Sequence, residues 1–130
     1  MRMMLKSKIH RATCTEANVD YQGSITLDPV LMRAANILPF EQVHVLDVDN
    51  GARLETYAIE GEEGSGVCCL NGAAARLIHK GHKVIVATYE MIGEEQAQRQ
   101  QPTLVFVNER NEIAHITIGQ THKQVIYAER

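Results

Sequence analysis

The sequence predicts a mainly-β fold, a small barrel carrying a few short helices. Apolar residues alternate with polar ones in several short runs, which is the period of half-buried strands. The helical segments are short and fall irregularly between those runs, without the long, regular crossovers of a doubly wound sheet. With 130 residues, 45% hydrophobic and 22% charged, the chain can bury one modest core. A single domain over residues 1–130 is expected, since no repeat, low-complexity tract or linker divides it.

In chain order, residues 3–16 read as a long strand and 19–27 as a second. Asp28-Pro29 offers an N-cap and a proline at the first helical position, so a short helix is expected over 29–36. "QVHVLDV" (42–48) and "ARLETYAIE" (52–60) flank "DNG", a hairpin signal with Gly51 placed for positive φ. "GVCCL" (66–70) reads as a short buried strand, and "NGAAARLIHKG" as a helix at about 72–79 stopped by Gly81. "HKVIVATYEM" (82–91) follows as a strand and "GEEQAQRQQ" as a polar helix. "TLVFVNERNEIAHITI" forms a last hairpin turning near Asn111. The tail 119–130 is polar, with a weak "QVIYA" strand.

A net charge of −3 and a pI near 6.0 argue against a nucleic-acid surface, which needs a basic stripe. "MRMMLKSKIH" lacks the apolar stretch of a signal peptide, and "VIVA" at 84–87 is far too short to span a bilayer. A cytoplasmic location without membrane contact is expected. Cys14, Cys68 and Cys69 show no CxxC or Cys/His ligand spacing, so they read as reduced, buried strand residues with no metal role.

Several motifs fail chemically. "GEEGSG" (61–66) lacks the Gly-Lys-Ser/Thr of a phosphate loop, and its glutamates repel phosphate, so it is a turn. His79 and His82 flank a helix-stop glycine and read as a solvated helix end, while His44, His115 and His122 have no evident partner. "DYQGSITLD" (20–28) is different. Gly23-Ser24 interrupts a strand pattern, and a bulge or tight turn is one reading. The other is chemical: a glycine that lets the backbone strain sets a serine hydroxyl to attack its own peptide bond.

Four elements taken together decide between them. "KIHRA", "Y-x-GS-x-x-(L/I)D", "NG-x-R-(x)2-TY" and "NGAAA" occur in order between about Met4 and Asn108. In this the chain resembles the aspartate 1-decarboxylases, pyruvoyl-dependent lyases that make β-alanine from L-aspartate for pantothenate and coenzyme A. The resemblance implies a double-psi β-barrel and a homotetramer with sites between neighbouring subunits. It implies a zymogen cut autocatalytically between Gly23 and Ser24 into 1–23 and 24–130. The Ser24 hydroxyl would attack the Gly23 carbonyl to give an ester. Elimination and loss of ammonia would then leave a pyruvoyl group, the covalent cofactor that forms a Schiff base with substrate. Neither a metal nor pyridoxal phosphate is implied.

The same resemblance assigns residues. Arg53 grips the substrate carboxylates, a task suited to a bidentate fork, and Lys8 is a second carboxylate partner. Tyr57 returns a proton to the carbon that loses its carboxylate. Thr56 serves self-processing, and Asn71 with Gly72, Ala73 and Ala74 forms the loop against the pyruvoyl group and substrate. His10 and Tyr21 flank the cleavage point. Without the resemblance, Arg53 and Lys8 read as solvated strand residues and Tyr57 as a core aromatic. Leu46 stands where some relatives carry tryptophan, Cys68-Cys69 falls in an otherwise aliphatic or serine-containing strand, and residues beyond about 112 follow no alignable pattern. None of these departures is expected to touch the chemistry. A pyruvoyl decarboxylase of another acidic amino acid and a catalytically inactive barrel binding module are the competing readings; the intact Gly23-Ser24, Arg53 and Tyr57 speak against the latter.

Overall fold

The computed structural model describes residues 1–119. The suggested "QVIYA" strand and His122 lie outside them. Nine strands dominate: β1 (Arg2–Thr13), β2 (Glu16–Asn18), β3 (Ser24–Leu27), β4 (Gln42–Asp47), β5 (Arg53–Glu60), β6 (Cys68–Asn71), β7 (Lys83–Ile92), β8 (Thr103–Val107) and β9 (Ile113–Ile118). Among the described residues, helices are confined to α1 (Pro29–Ala34), α2 (Glu94–Ala97) and a 3-10 turn over Gly72–Arg76. The mainly-β class with a few short helices is the one expected, and it is consistent with a double-psi barrel.

The strands form one ladder in the order β2-β6-β3-β5-β4-β7-β1-β8-β9, without a hydrogen-bonded closure between its ends. Three of its pairs, β1–β8, β2–β6 and β3–β5, are parallel, so the chain crosses over the barrel between them. The long β1 is irregular where Arg11 takes a φ of 65°, and its register against β7 shifts between Ile9 and Ala12. Such bulges raise local twist and let a sheet curl. One buried cluster then gathers Ile9 from β1, Ile25 from β3, Val43 from β4, Leu70 from β6, Val86 from β7 and Val105 from β8. Side chains from nearly the whole ladder therefore meet in a single core.

Two expected elements differ. The strand foreseen over 19–27 is broken: β2 ends at Asn18, and residues 19–23 turn before Ser24 opens β3. The alternation of Val19 and Tyr21 misleads because both are exposed rather than packed. The helix foreseen over 72–79 is only a 3-10 turn, stopped at Arg76. Buried Asn71 at its N-cap makes no side-chain cap bond; its Oδ1, the atom that would accept one, faces the Cys69 thiol instead. The DNG hairpin forms with Gly51 at φ 78°, and the last hairpin turns on Asn111 at φ 61°. The histidines also acquire partners. His82 Nδ1 lies 2.6 Å from Asp47 Oδ2, His44 Nε2 lies 3.2 Å from Glu55, and His115 stacks on Phe106. Tertiary folding supplies these contacts, which is why spacing along the chain does not show them.

Asp28 does more than cap α1. Its Oδ1 accepts from Val30 N at 2.9 Å and Gly64 N at 3.0 Å, and its Oδ2 accepts from Gly66 N at 2.8 Å. Asn111 holds the other side of the same turn, donating through Nδ2 to Gly66 O at 2.7 Å and to Thr13 O at 2.9 Å. "GEEGSG" is thus a turn fastened to the start of α1 and to the last hairpin. Burial alone raises the Asp28 carboxyl, but the three backbone donors outweigh it and hold the group below its ordinary value.

Asp28→Ala is expected to lower the unfolding free energy by about 2–4 kcal/mol, since bonds to an ionised group contribute about 1.5–3 kcal/mol and an N-cap about 1 kcal/mol. A depressed folded-state pKa gives stability that is complete above the unfolded value of about 3.9 and is lost as pH falls through the folded one. Urea midpoints from pH 7 to pH 3 should therefore decline at the acid end in the parent and less steeply in Asp28→Asn. Equal acid slopes would remove Asp28 from this role.

Candidate active site

The antiparallel register of β3 against β6 sets Ser24 opposite Asn71 and Thr26 opposite Cys69. Ser24 is 2% exposed although it directly follows an exposed turn. Its hydroxyl oxygen accepts a hydrogen bond from Asn71 Nδ2 at 2.9 Å, and the same nitrogen donates to Thr26 Oγ1 at 2.9 Å. Ser24 has a φ of 147°, a region that only glycine enters readily. Holding a side chain there costs about 1–3 kcal/mol and requires surroundings that over-determine it.

Gly72 supplies that constraint. At φ 69°, it leaves no room for a side chain: a Cβ would stand 2.9 Å from the Gly23 Cα, the Gly23 nitrogen and the Tyr21 carbonyl oxygen. All three are backbone atoms, which cannot swing aside. The start of the 3-10 turn therefore presses directly on the segment leading into Ser24. Gly23 itself would meet nothing with an added Cβ. It takes no positive φ either, so the backbone strain at this point sits on Ser24 and not on Gly23.

A cavity of about 280 Å³ opens at this point, lined by Gly23, Leu54, Glu55, Thr56, Asn71, Ala73, Ala74 and Leu77. The residues expected for processing, Gly23, Ser24, Thr56 and Asn71, are thus brought together, with Gly72, Ala73 and Ala74 beside them. The substrate-binding set is not gathered within the chain. Arg53 and Tyr57 share the opposite face of β5 from Thr56, as alternation requires. Arg53 lines a separate cavity of about 430 Å³ with His44, Val45, Leu46, Leu54 and Glu55. Tyr57 is partly exposed, with its ring 6.4 Å from that of Phe40. Lys8 lies on β1 between Ala87 of β7 and Leu104 of β8, and borders neither cavity. His10 is buried edge-on against Phe106, and Tyr21 is 63% exposed with its carbonyl over Gly72.

Two departures lie nearer the site than expected. Leu46 faces Arg53 across β4–β5 and shares its cavity. Cys69 Sγ approaches Asn71 Oδ1 at 3.2 Å. Cys14, Cys68 and Cys69 are free and buried, as foreseen. Another cavity, of about 500 Å³, is lined by Met3, Glu41, Gln42, His44, Glu55 and Tyr89 and does not include Ser24. Asp47, Asp49 and His82 bring potential ligand atoms within 4.8 Å of one another. Their carboxylates are already engaged, Asp47 by His82 and by the amides of Asp49 and Asn50, and Asp49 by the amide of Lys83. No helix among the described residues is long and apolar enough to cross a membrane.

Residues 1–114 match the aspartate decarboxylase family. The chain is 60% identical over 116 residues to the aspartate 1-decarboxylase of Dehalococcoides mccartyi strain ATCC BAA-2266, covering 89% of this chain and 94% of that protein. It is 56% identical over 122 residues to the same-named protein of Clostridium kluyveri strain ATCC 8527, covering 94% and 96%. It is 53% identical over 123 residues to that of Clostridium botulinum strain Loch Maree, covering 95% and 97%. The likeness therefore runs past residue 112, further than the quoted motifs reach. The chain belongs to the aspartate decarboxylase family.

Gly72→Ala should cost at least about 2 kcal/mol, combining a left-handed alanine with a backbone clash against Gly23. Urea denaturation measures this directly. A parent-like midpoint would mean that the 21–23 segment is not held by Gly72.

Proposed function

We propose that this member of the aspartate decarboxylase family removes the α-carboxylate of L-aspartate, giving β-alanine and carbon dioxide, after cutting itself between Gly23 and Ser24. The β-alanine is a precursor of pantothenate and coenzyme A. The observation that carries the reading is the strained, buried Ser24, whose Oγ accepts a hydrogen bond from Asn71. This serine has no packing task that requires a glycine-like φ. Strain at the bond to be broken raises the ground state and lowers the remaining barrier.

In processing, the Ser24 oxygen bonds to the Gly23 carbonyl carbon, the Gly23–Ser24 C–N bond breaks, and the freed nitrogen takes the hydroxyl proton. The result is an ester. Thr56, on the wall of the same cavity, has a hydroxyl suited to the oxyanion that develops on the Gly23 oxygen. Elimination then removes the Ser24 α-proton and expels the Gly23 carboxylate through Oγ. The Asn71 N–H on that oxygen favours the departing charge. Hydrolysis with loss of ammonia leaves residue 24 as a pyruvoyl cap. The surroundings of Ser24 fit such a group: Oγ leaves with Gly23, the Asn71 amide beside residue 24 can then donate to the ketone oxygen, and the small residues at 72–74 leave room where larger ones would block approach. When present, it supplies a ketone that condenses with the substrate amine and withdraws the electron pair left by carbon dioxide.

The chain's own residues bind and protonate. Arg53 offers the planar fork that pairs bidentately with a carboxylate, and Lys8 a compact second cation. Tyr57 gives a proton to the carbon after carbon dioxide leaves. His10 and Tyr21 support the segment around the cleavage point. Because Lys8, Arg53 and Tyr57 do not line the cavity beside Gly23 and Asn71 in their own chain, the complete site is read as shared between neighbouring subunits of a homotetramer.

Co-expression of Ser24→Ala with Arg53→Ala chains tests this arrangement. Each alone should fail to release labelled carbon dioxide from C1-labelled aspartate, whereas mixed oligomers should recover activity because some sites combine an intact Ser24 with an intact Arg53. Activity no greater than the sum of the separate variants would place the whole site within one chain. Labelled glutamate turned over as fast as aspartate would reassign the substrate.

Thr56 and Tyr57 should fail at different steps. Tyr57→Phe is expected to mature normally but lose about 10²–10⁴-fold in turnover, the usual contribution of a general acid. Thr56→Val keeps the β-branched shape and should accumulate uncut chain. Quantifying cleavage and β-alanine per matured chain separates them; reversed phenotypes would exchange their roles.

A further inference from the structure

We propose that Cys69 is a positioning residue for the chemistry at Ser24: its thiol fixes the Asn71 amide so that both amide hydrogens face the Ser24 and Thr26 hydroxyls. The inference rests on the reading that the Gly23–Ser24 bond cuts itself. Cys69 and Asn71 are two residues apart on β6 and so share a face, and their cross-strand partners are Thr26 and Ser24. Four polar side chains thus form a compact group on two strands, with Ser24, Cys69 and Asn71 buried and Thr26 half-buried.

The distances order that group. Cys69 Sγ lies 3.2 Å from Asn71 Oδ1, and Asn71 Nδ2 lies 2.9 Å from each of the Ser24 and Thr26 hydroxyl oxygens. A side-chain amide can turn by half a revolution, exchanging its oxygen and nitrogen. The two hydroxyls do not choose between the orientations, because each can donate or accept. The thiol does choose. An S–H group donates weakly and is a poor acceptor, so a turned amide would set its NH₂ against sulfur and leave a buried donor poorly satisfied. Burial, with the Glu16 carboxylate beside it, pushes the Cys69 thiol up to about 11, so it remains a neutral S–H donor at physiological pH. Two other acceptors compete for it, the Glu16 carboxylate, which also hydrogen-bonds the thiol, and the Leu70 carbonyl at 4.0 Å, but its short contact is with Asn71 Oδ1.

The consequence falls on Ser24. In the observed orientation its oxygen receives an N–H, which places the hydroxyl for attack and favours charge on Oγ when the ester is eliminated. In the turned orientation Asn71 would present an acceptor, hold the serine proton instead, and offer nothing to the departing oxygen.

The test follows self-cleavage by intact mass, after pulsed cell-free synthesis, for the parent, Cys69→Ser, Cys69→Val and Cys69→Ala. Serine retains a donor and should cut within about twofold of the parent. Valine fills the volume without a donor, and it should cut about tenfold more slowly, as should alanine. A difference of that size corresponds to about 1.4 kcal/mol, the scale of one hydrogen bond. Urea midpoints separate lost packing from lost orientation, since valine should retain more stability than alanine while cutting equally slowly. Parent-like cutting by Cys69→Val overturns the proposal, as does a Cys69→Ser chain as slow as alanine. A parent that never cuts at Gly23–Ser24 overturns both this inference and the functional reading beneath it.

Discussion

The pairing of Ser24 with Asn71 across β3–β6 is the contact on which the rest of the site depends. It holds the hydroxyl of the residue after Gly23 out of solvent and supplies it with a donor. The same β6 continues into Gly72, whose missing side chain lets the turn lie against Gly23. One short buried strand therefore does two things: it holds the serine hydroxyl and confines the peptide bond before it. The core makes this possible, because Ile25, Leu27, Cys68 and Leu70 anchor both strands at essentially full burial. Relaxing Ser24 to an ordinary φ would require moving strands that the core holds in register.

Much of the fold was legible from local chemistry. The hairpin at Asn50-Gly51, the N-cap at Asp28 and the turn at Asn111 are each specified by residues a few positions apart, and each forms. The failures share a cause. Val19 and Tyr21 follow a strand period but find no partner to pack against, so the strand breaks. "NGAAARLIHKG" has helical composition, yet the Asn71 Oδ1 that would cap it faces the Cys69 thiol instead. Contacts between distant segments, such as Asp28 with Gly64 and Gly66 or His82 with Asp47, leave no mark in sequence spacing.

Legibility of the site divides along the same line. Gly23-Ser24 stood out as an interruption in a strand pattern, but its chemistry was readable only through resemblance to relatives. Asn71 bonds Ser24, and Thr56, Ala73 and Ala74 line one cavity with Gly23 and Asn71, although Thr56 and Asn71 lie 15 positions apart in sequence. Lys8, Arg53 and Tyr57 do not line that cavity, and no periodicity in the sequence places them relative to it. Alternation along β5 does sort Thr56 from Tyr57, since neighbouring residues must face opposite sides of the sheet. Leu46 and Cys69 looked peripheral as sequence departures, yet one faces Arg53 and the other touches Asn71.

The central claim is that Ser24 is consumed to make the reactive carbonyl, and the mass of the purified protein under denaturing conditions tests it most directly. Two polypeptides are expected, residues 1–23 and residues 24–130, with the second lighter by one ammonia than simple hydrolysis would leave it. Gly64-Ser65, the other Gly-Ser pair, lies in a turn whose serine is exposed and should stay joined. An intact 130-residue mass in a preparation that converts aspartate to β-alanine would contradict the claim, and so would a cut at Gly64-Ser65.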